Sequence, residues 1–70
     1  MMTLTFPSQA LAVLQQSPIP ALRKLIVEET DEAVIIQGSV NSYYLKQLAQ
    51  ETLMPVLFNR ELSNRVTVTR

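Results

Sequence analysis

The stretch Ala33–Leu53, AVIIQGSVNSYYLKQLAQETL, decides the fold. Its first half alternates: Val34, Ile36, Gly38 and Val40 point one way, and Ile35, Gln37 and Ser39 the other. A period of two, rich in β-branched residues, predicts a strand with one buried face. At Asn41–Ser42 the period changes. Tyr44, Leu45, Leu48, Ala49, Thr52 and Leu53 then recur at spacings that predict one apolar stripe of an amphipathic helix. Asn41 or Ser42 supplies the short side-chain oxygen that accepts a bond from an unpaired first-turn N–H. A buried strand thus runs through a short joint directly into a helix.

Upstream, Arg23–Thr30 reads as another strand, with Leu25 and Val27 on one side and Ile26, Glu28 and Thr30 on the other. A two-residue turn at Asp31–Glu32 would set Val27 opposite Ile36, Leu25 opposite Gly38 and Glu28 opposite Ile35. Such a turn wants positive φ at its centre, for which Asp-Glu is poor chemistry, so a longer turn over Thr30–Ala33 stays open. Either turn puts the apolar members of both strands on one face. Ser8–Gln16, with Ala10, Leu11, Val13 and Leu14, predicts a short helix capped by Ser8 and stopped by Pro18 and Pro20. Met1–Pro7 is a leader, and Ser17–Ala21 a rigid connector in which Ile19 and Leu22 anchor.

Downstream, the second helix is expected to end near Met54, because Pro55 has no N–H and crowds the carbonyl of Glu51. Val56–Ser63 crosses back, and Arg65–Thr69 forms the third strand, with Val66 and Val68 inward and Thr67 and Thr69 outward. The 70 residues make one α+β domain, 1–70, of order α-β-β-α-β. Its expected form is a three-stranded mixed sheet with two helices packed on one face. Sheet order 1-2-3 is favoured because a strand–helix–strand unit joins parallel neighbours; order 3-1-2 is the alternative. Gly38, at the buried centre, is read as leaving room for a helix.

Several of these residues carry a resemblance. Val34-x-Ile36-x-Gly38-x-Val40-x-Ser42, then Leu45-Lys46, Leu48-Ala49 and Asn64-Arg65-Val66-Thr67-Val68, resemble the BON domain (bacterial osmotically induced and nodulation). The likeness runs from about Ile19 to Thr69. Val34, Ile36, Gly38, Val40, Ser42, Leu45, Leu48, Asn64, Val66 and Val68 would be its structural motif. That family often has Gly in the hairpin turn and before the last strand; here stand Glu32 and a segment with Pro55 and polar residues. The resemblance implies a small bacterial module, without enzymatic activity, that attaches to phospholipid surfaces or other macromolecules.

The residue inventory gives little to build catalysis on. With no His and no Cys, acid–base work near neutral pH and thiol chemistry lack their usual groups. One Gly makes no phosphate-cradling loop. Glu28, Glu29, Asp31 and Glu32 read as a solvated turn, because alternation sends Glu28 and Glu29 to opposite faces. No enzyme activity, cofactor or metal is expected. Six basic residues cancel six acidic ones, so nucleic acid is not an expected partner. The four aromatics, Phe6, Tyr43, Tyr44 and Phe58, also avoid the open sheet face on which an RNA-binding sheet would stack bases. No apolar run reaches the ~20 residues of a membrane span, and MMTLTFPSQ lacks the character of a signal peptide. The cytoplasm is therefore expected ahead of the periplasm, where many BON proteins reside.

What remains is contact. The open face should show Ile26, Glu28, Ile35, Gln37, Ser39, Thr67 and Thr69, with Ile26 and Ile35 as diagonal neighbours. On the second helix Tyr44 is expected in the core and Tyr43 off the stripe, while Lys46, Gln47, Gln50 and Met54 make the outer face. The candidate binding residues are Ile26, Ile35, Gln37, Thr67 and Tyr43. A protein or a phospholipid surface is the expected partner, with self-association into a weak homodimer as the alternative. Arg65 is expected near Asp31 or Glu32.

Overall fold

The computed structural model describes residues 9–69. The expected leader Met1–Pro7, the Ser8 cap, Phe6 and Arg70 lie outside them. In chain order come α1 (Gln9–Gln15), α2 (Pro20–Arg23), β1 (Ile26–Glu29), β2 (Ala33–Val40), α3 (Tyr43–Leu53), a 3-10 turn (Met54–Val56) and β3 (Glu61–Val68). The class is α+β, and the sheet is mixed in the order β1-β2-β3. β1 pairs antiparallel and β3 parallel to the central β2.

One face of the sheet holds the core. Val34, Ile36, Val40 and Val66 are buried there with Ala10 and Leu14 of α1, Leu22 of α2, Leu25, and Ala49 and Leu53 of α3. Leu45, Leu48, Leu62 and Val68 are partly buried against this cluster. The expected connector contains an extra turn of helix. Pro20 fits its first position, where no N–H is needed, and Ile19 and Leu22 do pack on the core. This turn shortens β1, which begins at Ile26 and not at Arg23.

The hairpin keeps the register of a two-residue turn: Val27 lies opposite Ile36 and Glu28 opposite Ile35. Neither Asp31 nor Glu32 adopts positive φ. The Thr30 hydroxyl takes over, accepting from the N–H of Glu32 at 3.2 Å and of Ala33 at 2.9 Å. A Thr side chain that captures nearby N–H groups does locally what a glycine would otherwise permit.

At the other end of β2, Ser42 is the cap. It is extended, and its Oγ accepts from Leu45 N–H at 3.2 Å. The α3 stripe is turned from the expected one. Tyr44 is 71% exposed, and Lys46 and Gln50 are half-buried, while Gln47 and Met54 are exposed as expected. At 3.6 residues per turn, Tyr44 sits roughly 140° around the helix from buried Ala49, too far to share its face. This side of α3 faces Asn64 of β3, whose Nδ2 donates to the Lys46 backbone carbonyl at 3.1 Å and to Gln50 Oε1 at 3.4 Å.

Gly38 is crowded, but not by the helix. An added Cβ would lie 2.8 Å from Leu25 Cδ2, and the glycine φ is +134°. The neighbour is the residue that continues β1 across from it. β3 also begins four residues before the expected Arg65, at Glu61. Ala33 pairs with Glu61 and Gln37 with Arg65, so Arg65 lies two side-chain rows from the hairpin tip and does not meet Asp31 or Glu32.

Arg60 holds that tip. Its Nη1 donates to Glu29 Oε1 at 2.7 Å, its Nε to the Leu57 carbonyl at 2.8 Å and its Nη2 to the Val56 carbonyl at 2.8 Å. Phe58 (φ 51°) and Asn59 (φ 70°) make the turn into β3. The N–H of Arg60 bonds the Leu57 carbonyl across it at 3.0 Å, as in a type I′ turn.

Candidate interaction surface

The sheet face opposite the core is set by the same alternation that builds the core. Each strand that turns Val27, Ile36 or Val66 toward the core must turn the alternate residues outward. Register arranges those residues in rows. Ala33 and Glu61 share the row nearest the hairpin tip; Glu28, Ile35 and Ser63 form the next; then come Ile26, Gln37 and Arg65; Ser39 and Thr67 follow. Among the described residues no helix covers these rows, because the helices pack with the buried face. Ile26 is 63% exposed, Ile35 is half-buried, and Gln37, Ser39, Arg65 and Thr67 are exposed.

Four of the five candidate residues, Ile26, Ile35, Gln37 and Thr67, therefore meet on one surface, with Ile26 and Ile35 diagonal as their register requires. Tyr43 does not join them. It opens α3 in the helical layer, 66% exposed, beside exposed Tyr44. Sequence reading missed three members of the face, Glu61, Ser63 and Arg65. The signal was present: alternation counted back from buried Val66 sends them outward.

Charge on the face is divided. Glu28 stands on the β1 side and Arg65 on the β3 side, with Glu61 toward the hairpin tip. The Arg65 Nε donates to Ser63 Oγ at 3.2 Å, which lays the guanidinium along β3. Glu29 is on the other face with Arg60, as the alternation of Glu28 and Glu29 requires. Among the described residues, no group of three or more His, Cys, Asp or Glu could hold a metal ion. None of their helices is long and apolar enough to cross a membrane. What the arrangement offers is a contact: two isoleucines ringed by amide, hydroxyl and opposed charges. Compared with protein-family models, with curated protein sequences and with solved structures, the chain gives no match.

Proposed function

We propose that this chain is a non-catalytic binding module, resembling the BON domain, whose contact surface is the open face of the sheet. Ile26 carries the reading. It is an isoleucine 63% exposed, diagonal to half-buried Ile35, on a face that no helix covers among the described residues, while the other face carries the core. The absence of His and Cys from the sequence supports a module that binds without bond-making chemistry. The face mixes Glu28 and Glu61 with Arg65 and so has no positive excess toward anionic lipid or nucleic acid. A protein partner is favoured on that ground. Tyr43 and Tyr44 are exposed in the helical layer and not on the open face, which also argues against base stacking there.

Attachment to a phospholipid surface is the second reading. Exposed Tyr43 and Tyr44 at the start of α3 favour it, since a Tyr ring suits a half-wet bilayer boundary. Co-sedimentation with vesicles of phosphatidylcholine, with and without phosphatidylglycerol, at low salt separates the two. The protein reading expects the chain to stay in the supernatant with both. Sedimentation that Tyr43→Ser and Tyr44→Ser abolish, and Ile26→Ser does not, would move the contact from the sheet to the helix. A cytoplasmic location belongs to the same proposal, and recovery of the protein in a periplasmic extract would contradict it.

A further inference from the structure

We infer that the partner of the open sheet face is a second copy of this chain, related to the first by a two-fold axis along β2. The inference rests on the reading of that face as a contact surface and names what fills it. Glu28, Ile35 and Ser63 share one row, and Ile26, Gln37 and Arg65 the next. Two sheets stacked face to face keep their strand directions within about 30°. An axis along β2 therefore sets Ile35 on its own counterpart and lays β1 of each copy over β3 of the other. Glu28 of one copy then arrives opposite Ser63 of the other.

That is where Arg65 already lies, held beside Ser63 by the 3.2 Å bond from its Nε. The aliphatic stem of Arg65 covers exposed Ile26 of the second copy, while the guanidinium meets Glu28. Acid on one side of Ile35 and base on the other make the face complementary to itself. An axis across the strands through Ile35 would instead bring β1 over β1 and set the two Glu28 side chains against each other. The face offers roughly 400 Å² per copy from strand spacing and rise. That is about half of what a stable interface buries on each partner, so the dimer is weak and concentration-dependent.

Sedimentation equilibrium of the whole chain over a wide concentration range tests this. Wild type should show reversible monomer–dimer exchange. Glu28→Arg and Arg65→Glu, each checked for folding by circular dichroism, should each weaken the dimer roughly tenfold, because like charges then face one another twice. An equimolar mixture of the two variants should regain dimer, since each arginine finds a glutamate on the other chain. Glu28→Gln and Arg65→Gln should give a smaller loss in the same direction. A strict monomer overturns the inference. So does a dimer that neither reversal weakens, or a mixture that fails to recover. A strict monomer whose binding to vesicles is lost with Ile26→Ser would leave the contact-surface reading standing and remove only the second copy.

Discussion

Gly38 shows how one residue couples backbone to packing. Its φ of +134° is available to glycine and costly to a β-branched residue, and its Cβ site is occupied by Leu25 Cδ2 at 2.8 Å. Gly38→Val should destabilise the domain by about 1–3 kcal/mol through overpacking, with backbone strain added. Leu25→Ala should relieve the overpacking and leave the strain, so the double variant should lose less than the sum of the singles. Strict additivity in urea melts would mean that the two side chains do not compete for one space. Phe58 is the reverse case, a bulky residue held at φ 51° in the open. Phe58→Gly should raise stability by about 1 kcal/mol, because left-handed backbone costs a non-glycine residue roughly that much. A fall in the urea midpoint would mean that the ring stabilises more than its backbone strains.

Among the elements, the joint between β2 and α3 was the most legible. Period two, a Ser N-cap and period 3.6 follow one another there without interruption, and each is a local signal. The start of β3 was not legible. Glu61, Leu62, Ser63 and Asn64 have little strand character, and they extend because Ala33–Ile36 of β2 lies beside them. That is tertiary pairing overriding propensity. Tyr44 was misplaced for a different reason: a stripe read from Leu45 and Leu48 leaves the direction of the core uncertain by about one residue. Arg60 carried no local signal at all, since its partner Glu29 lies 31 residues away on β1. Both side chains are about one-fifth exposed, and the guanidinium also fastens two carbonyls of the crossover. Arg60→Ala should therefore cost about 2–3 kcal/mol, as expected for lost hydrogen bonds to a charged group. Arg60→Lys should recover part of that loss at most, because a single ammonium cannot span the fork. Denaturant melts that find Arg60→Ala as stable as wild type would show that the crossover is held without the arginine.

For the whole molecule, the central claim is that one sheet face is the core and the other is left open among the described residues. Most of that was legible, because alternation in β2 states it and the hairpin register extends it to β1. Which helical surface closes the core was less so, and what meets the open face depends on groups outside the chain. Ile35 and Ile36 test the claim most directly, being adjacent, identical and on opposite faces. Ile36 is fully buried, and Ile35 is half-buried with no helix above it among the described residues. Ile36→Thr removes apolar volume and buries a hydroxyl, at a cost of about 2–4 kcal/mol. A domain this small has ~5 kcal/mol in total, so the loss is large. Thermal melts of the two variants, side by side at low concentration, should show Ile36→Thr lowered by more than ~10 °C and Ile35→Thr by a few degrees. If Ile35→Thr unfolds the domain while Ile36→Thr leaves it intact, the two faces are exchanged and the proposed contact surface is the core.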